Sequence, residues 1–290
     1  MARARTVSVR DRRWFEYVAD GAGRATLLVH PGGPGFTYHY LRLLLKLATS
    51  HLRVVLFNPR GVGHSWAPKR AGEYTVEQQA EDIESIRRAL DIKELHLLGF
   101  SAGGFAALEY AHRYEDKLTS LLLCDTAGSA QETRAALQMM RQAAPEPLRR
   151  RLREVEKTRK FESPEYQQVV DRITAPWSHG FVHPVPRELE PKYLSKSVYR
   201  AMMTRTGDEF KVDGSFARWD GRKYYAQIEV PTVVVVGRYD YFLEASREMA
   251  DRIVPAHLRV LPHSSHLPQY EEPNSFLKTL REFLIDVTGD

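Results

Sequence analysis

A chain of 290 residues, 43% hydrophobic and 27% charged, suffices for one large domain or for a core domain carrying an insertion, and no apolar run approaches the roughly 18 residues of a membrane span. Lys and Arg number 42 against 37 Asp and Glu, a formal charge of +5. The excess gathers at Arg3–Arg13 and Arg149–Lys160; the second run alternates with Leu152, Glu154, Val155 and Glu156 and reads as the solvated face of a helix, so neither nucleic acid nor membrane is expected as a partner.

The opening Met-Ala-Arg-Ala-Arg-Thr has no apolar stretch behind its positive charges, so no signal peptide and a cytoplasmic location are expected. Short strands are expected at Val7–Val9 and Trp14–Val18, then a continuous apolar strand at Ala25–His30 of the kind that is covered on both faces. That strand runs into Pro31-Gly-Gly-Pro-Gly35, which no helix or strand can absorb. A helix over Tyr40–Thr49 and a buried strand over Leu52–Phe57 follow, the strand ending at Asn58-Pro-Arg-Gly-Val-Gly-His-Ser65. Thr75 and Gln78 open a helix in capping-box fashion, and it runs to Ala89.

Leu95–Leu98 is another apolar run, and an alanine-rich helix begins by Ala106. Between them Gly99-Phe-Ser-Ala-Gly103 fits G-x-S-x-G. A serine on a strand-to-helix turn this tight needs flanking glycines, because a Cβ at Gly99 or Gly103 would collide in the bend. The arrangement exposes its hydroxyl beside helix-terminal N–H groups that favour developing negative charge. The strand Leu118–Asp125 closes the first half; its Cys124, the only cysteine, excludes an intrachain disulfide and reads as a buried, inert thiol.

From about Ser129 the alternation of strand and helix stops. Helices are expected at Thr133–Ala143, Pro147–Arg159, Tyr166–Thr174 and Leu194–Met203, with prolines between them. In the third, Tyr166, Val169, Val170 and Ile173 make an amphipathic stripe. The alternation returns with the strand Pro231–Gly237, which ends at Arg238-Tyr-Asp240, then the helix Glu244–Ile253, the strand His257–Leu261 and a closing helix Glu271–Val287. The expected division is therefore core at 1–128, a helical cap at 129–214 and core again at 215–290, around a mostly parallel, doubly wound sheet.

In such sheets sites form at the carboxyl ends of strands, and Pro31–Gly35, Ser101, Asp240 and His266 each follow one. Ser, Asp and His in this chain order are the set that acyl transfer needs: Ser101 as nucleophile, His266 as base and then acid, Asp240 holding the imidazole. The backbone N–H groups of Ala102 and Gly33 would face the oxyanion. Asp125, which also ends a strand, is the rival acid, and His263 the rival histidine. His30, Arg60 and Ser65 read as braces of their loops.

His30-Pro-Gly-Gly-Pro-Gly35, Pro59-Arg-Gly-Val-Gly-His-Ser65, Gly99-Phe-Ser-Ala-Gly103 and Gly237-Arg-Tyr-Asp240 together resemble the proline iminopeptidases of the α/β-hydrolase fold. Asp208–Gly214 with Trp219-Asp220, and Ser264–Pro273, are similar to the tricorn-associated branch of that family. The resemblance implies an α/β-hydrolase core and a cofactor-independent serine hydrolase that releases an N-terminal residue from short peptides or small amides. It also implies Glu209 as a carboxylate for the substrate's ammonium, with Tyr241, Phe100 and Trp177 near the substrate. The sequence departs from the family at Tyr241, where a second glutamate is usual, at Ala102, where an aromatic is usual, at Asn58-Pro59 for Asp-Gln, and at Pro31. A small-molecule esterase or lactonase on the same triad, and a non-catalytic binding module, are the contrasting readings.

Overall fold

In the computed structural model, which describes residues 2–289, the apolar runs become one eight-stranded sheet. Its strands are β1 (Arg5–Ser8), β2 (Trp14–Asp20), β3 (Ala25–His30), β4 (Leu52–Phe57), β5 (Glu94–Phe100), β6 (Leu118–Cys124), β7 (Thr232–Gly237) and β8 (Ala256–Leu261). They lie in the order β1-β2-β4-β3-β5-β6-β7-β8. β1 and β2 are antiparallel and β2 joins β4 antiparallel; every pairing from β4 to β8 is parallel.

The period of two along each strand sorts the core into two layers. Val55 and Phe57, Leu95 and Leu97, Leu121 and Leu123 point to one face, where α1 (Val76–Ala89) and α2 (Ala102–Tyr114) cover them. Val54 and Leu56, Leu98 and Phe100, Leu122 and Cys124 point to the other, beneath the 3₁₀ segment Tyr38–Leu47 and the C-terminal helix. Because both faces are covered, β3 and β7 are buried at every position.

A helix was expected over 40–49; the chain instead forms a 3₁₀ helix at Tyr38–Leu47. Tyr38, Leu41, Leu44 and Leu47 are all buried and lie three residues apart, which puts them on one face of a helix with three residues per turn. Burial of that stripe selects the tighter winding. At α1 the Thr75 side chain accepts the N–H of Gln78, the capping bond that the Thr75–Gln78 spacing implies.

Between β6 and β7 the chain leaves the sheet for α3 (Ala130–Ala143), α4 (Glu146–Lys157), α5 (Pro164–Ser178) and α6 (Lys196–Met202). Ser129 and Ser163 cap α3 and α5 by accepting N–H groups three residues on. The Tyr166, Val169, Val170 and Ile173 stripe of α5 packs on Leu152 and Val155 of α4 and on Phe210, in a small core of its own. α7 (Leu243–Arg252) joins β7 to β8, and α8 (Pro268–Glu271) and α9 (Pro273–Thr288) finish the chain. No helix among the described residues is long and apolar enough to cross a membrane.

Candidate active site

β3 has β4 on one side and β5 on the other, so the connections leaving β3 and β5 diverge and open a crevice at their carboxyl ends. The glycine loop after β3 and Ser101 after β5 meet there. Ser101 sits at φ 53°, ψ −123°, a conformation that costs a non-glycine residue about 1–3 kcal/mol and that only a closely packed surround sustains. That surround is glycine. A Cβ on Gly99 would lie 2.5 Å from the Gly103 carbonyl, and one on Gly32 would lie 2.6 Å from Ser101 Cβ.

The structure brings Ser101, His266 and Asp240 into one line. Ser101 Oγ is 2.9 Å from His266 Nε2, and His266 Nδ1 is 2.7 Å from Asp240 Oδ2. Asp240 Oδ1 accepts the N–H of Phe242 at 2.6 Å, so both its oxygens are engaged. Each of the three is less than a tenth exposed. The His266 loop is pinned by Glu271, which accepts the Ser265 N–H and both the Ser264 and Ser265 hydroxyls. The His266 N–H donates to the Trp177 carbonyl at 3.2 Å. A proton on Nδ1, which faces the Asp240 carboxylate, would leave Nε2 as an acceptor for the Ser101 hydroxyl.

A second hydroxyl faces the same nitrogen. Tyr241 OH is 3.0 Å from His266 Nε2, and its ring stacks on the imidazole at 4.5 Å. Burial, then the Asp240 charge, push the Tyr241 phenol well above its usual range, so it is a neutral donor.

On the other side of Ser101, Gly33 adopts φ 120°, which only glycine tolerates. The Gly32 N–H is taken by Tyr40 OH at 2.6 Å. The Gly33 and Ala102 N–H groups have no protein acceptor among the described residues. The segment after α5 straps this loop: Thr37 N–H donates to Tyr193 O at 3.0 Å and Ser195 N–H to Gly35 O at 2.9 Å.

A cavity of about 470 Å³ adjoins the site, with Gly33, Phe36, Tyr199, Glu209 and Tyr241 in its wall. Glu209 is only part-exposed. Its carboxylate accepts the Tyr199 hydroxyl, and its N–H donates to Tyr166 OH at 2.9 Å. Burial raises its pKa above the usual carboxylate value, against the lowering effect of Tyr199. Asp171, which the sequence reading passed over, lines the same cavity, and its charge also acts to raise Glu209. Gln167, Asp171, Thr174 and Ser178 reach the wall from a second helical face of α5, and Val170 of the apolar stripe reaches it beside them.

Two residues expected near the substrate are not in the wall of that cavity. Phe100 is 1% exposed, its ring between Tyr40 and His266, so it backs the imidazole from within the core. Trp177 supplies its backbone carbonyl to His266. Its place in the last turn of α5 is what brings that carbonyl over the His266 loop.

The braces are as dense as their chemistry requires. Arg60, 1% exposed, forks onto both oxygens of Asp82 at 2.6 and 2.8 Å and donates to the Glu73 and Gln78 carbonyls. Asn58 bonds Glu16 and the Tyr38 N–H, and Ser65 donates to the Asn58 carbonyl. His30 Nδ1 bonds the Pro31 carbonyl at 2.8 Å. Cys124 is buried, and His263 bonds Glu272 through its N–H. Asp125 stands beside Asp240, with its Oδ1 on the Gly237 N–H at 3.0 Å.

The family described as alpha/beta hydrolase fold matches residues 25–273. The proline iminopeptidase of Saccharolobus solfataricus is 27% identical over 279 residues, covering 93% of this chain and 88% of the relative. Among solved structures, VinJ is similar with a TM-score of 0.90, at 25% identity over 98% of this chain and 99% of that one. The Mycobacterium smegmatis proline iminopeptidase has a TM-score of 0.88 at 24% identity, covering 99% of this chain and 100% of that one, a likeness of fold.

Proposed function

The chain belongs to the alpha/beta hydrolase fold family and is a hydrolase, and from that premise we propose an aminopeptidase-like amidase that works through a Ser101 acyl-enzyme on short peptides or small amides bearing a free amine. The observation that carries this is the Ser101–His266–Asp240 line at 2.9 and 2.7 Å, next to a cavity whose wall holds the part-buried carboxylate of Glu209.

His266 takes the Ser101 proton as Oγ attacks the substrate carbonyl, and Asp240 stabilises the imidazolium. The oxyanion faces the Gly33 and Ala102 N–H groups, one oriented by the glycine loop and the other by the N-terminus of α2. His266 then protonates the leaving amine, and a water repeats the cycle on the acyl-enzyme. The helices of 129–214 act as the cap that holds substrate above Ser101. Glu209 binds the ammonium, which fixes the distance from the free amine to the scissile bond. At 241, Tyr stands where the resembled family has a second glutamate, so its hydroxyl meets His266 and the reacting amide, and Asp171 is the other cavity carboxylate.

Rates on a prolyl anilide, its N-acetylated form and a simple aryl ester test the reading. A preference of a hundredfold or more for the free over the acetylated anilide is expected. Equal rates on those two, or turnover of the ester alone, would mean a general esterase on the same triad.

A further inference from the structure

Among the described residues, Asp125 is the buried acid at the site that has no task in the proposed mechanism. It directly follows β6 at φ 48°, in the left-handed region that Asp occupies more readily than most non-glycine residues. It is 0% exposed. Its Oδ1 accepts the Gly237 N–H at 3.0 Å, which ties the end of β6 to the end of β7 just before Asp240. Its Oδ2 is buried and has no donor among the described residues. What faces it is Asp240: one oxygen of each carboxyl and a ring nitrogen of His266 lie within 4.8 Å of one another.

Among the described residues, the other groups around it supply no cation. Tyr241 and Asp240 face it from the turn after β7, Glu271 from α8, Tyr40 from the 3₁₀ segment, and Cys124 precedes it. Burial first, and the Asp240 charge second, push the Asp125 carboxyl far above the usual range. Two anions cannot share so dry a space, and Asp240 already has an N–H on each oxygen, one of them from His266.

We propose that Asp125 keeps its proton at neutral pH and donates it to the Asp240 carboxylate, so that the hydroxyl–imidazole–carboxylate line continues one residue further, into β6. Asp125 is then a positioning residue: it never meets substrate, but it holds Asp240 in the plane that the imidazole needs and anchors the β7 end on which Asp240 is carried. A neutral acid does this without adding a second charge beneath the histidine. Asparagine, with a carbonyl for Gly237 and an amide N–H for Asp240, is the nearest mimic, and alanine removes both bonds.

The inference rests on the triad reading, and its test uses a probe that needs no knowledge of the natural substrate: the rate of Ser101 labelling by an alkyl fluorophosphonate, measured against pH. Asp125→Ala slows labelling roughly 10- to 100-fold, the scale of a misplaced reacting group. Asp125→Asn restores the rate to within about fivefold of wild type and keeps the acid limb of the pH profile where wild type has it. If Asp125 were instead ionised, Asp125→Asn would remove a negative charge near the imidazole and move that limb to lower pH by a unit or more. That shift overturns the proposal, as does equal slowing by Ala and Asn. Infrared difference spectra of wild type against Asp125→Asn, with ¹³C-aspartate, give a second readout independent of activity and of how Asp125→Ala folds. A protonated-carboxyl band lost in the variant at pH 7 is expected, and only carboxylate bands would contradict it. A wild-type chain that no phosphonate labels sinks the triad itself, an outcome separate from either of these.

Discussion

Replacing Glu209 by Gln isolates the charge that the proposed amine recognition depends on. The two side chains have the same shape, and Gln can still accept the Tyr199 hydroxyl, so the cavity wall is kept. What is lost is the attraction between a carboxylate and an ammonium in a part-buried site. At about 4 Å and an effective dielectric near 20 that attraction is about 4 kcal/mol, and truncating one partner of a buried, hydrogen-bonded pair costs about 2–5 kcal/mol. Because the hydroxyl bond survives, about 2–4 kcal/mol is expected, a fall of roughly 30- to 800-fold in kcat/KM on a free-amine anilide. Most of the fall belongs in KM, since the ammonium is held alike in ground and transition states. An aryl ester without an amine should change less than about threefold. The same group predicts a pH effect. Burial raises the Glu209 pKa, so its negative charge is complete at higher pH and is lost as the pH falls through that raised value. KM for the free amine therefore climbs toward acid pH while KM for the ester stays flat. Steady-state kinetics on both substrates from pH 5 to 8 decide the matter. Equal losses on anilide and ester, or an unchanged anilide KM, would remove Glu209 from recognition.

Three further outcomes are expected. Ser101→Ala lowers kcat by about a millionfold with the fold intact, and turnover above a hundredth of wild type would mean another nucleophile. Arg60→Met strips Asp82 of its fork and leaves it Arg13, at 2.8 Å, so urea unfolding should record a loss of about 3 kcal/mol, the low end for a broken buried pair; less than 1 kcal/mol would contradict the bracing role. Burial lowers His30 and His96 to a pKa of about 4, below the usual 6.5, so the unfolded chain takes up protons that the folded one refuses. Each contributes stability that is complete above pH 6.5 and is lost as the pH falls toward 4, about 2 kcal/mol of it by pH 5. The difference in unfolding free energy between pH 7 and pH 5 should shrink by about that amount in His96→Phe, and an unchanged difference would refute it.

The legible parts of this protein were those where one residue type has one physical reason to be where it is. Gly99 and Gly103 around Ser101 announce a bend with no room for a Cβ, and the runs of β3 and β7 announce strands covered on both faces. The parts that stayed hidden depend on distance across the chain. Asp125 and Asp240 lie 115 residues apart and were weighed as rivals, whereas the pairing of β6 with β7 makes them neighbours. Tyr241 was placed by resemblance near the substrate, and its bond to His266 Nε2 depends on a ring orientation that no spacing encodes. The 3₁₀ segment was missed although its signal was present, in the three-residue period of Tyr38, Leu41, Leu44 and Leu47. Asp171 lies on the polar face of α5 that adjoins the apolar stripe, and apolar periodicity marks only the stripe, so no spacing singles it out as part of the cavity wall.

The acyl-enzyme is the claim from which the rest proceeds, and rapid quench with intact-protein mass spectrometry reaches it directly. Mixed with an activated aryl ester and stopped in acid within milliseconds, the wild-type chain should carry one acyl group, mapped to the Ser101 peptide, with a stoichiometric burst of the phenol. Turnover with no burst and no adduct, or an adduct that persists in Ser101→Ala, would contradict the mechanism.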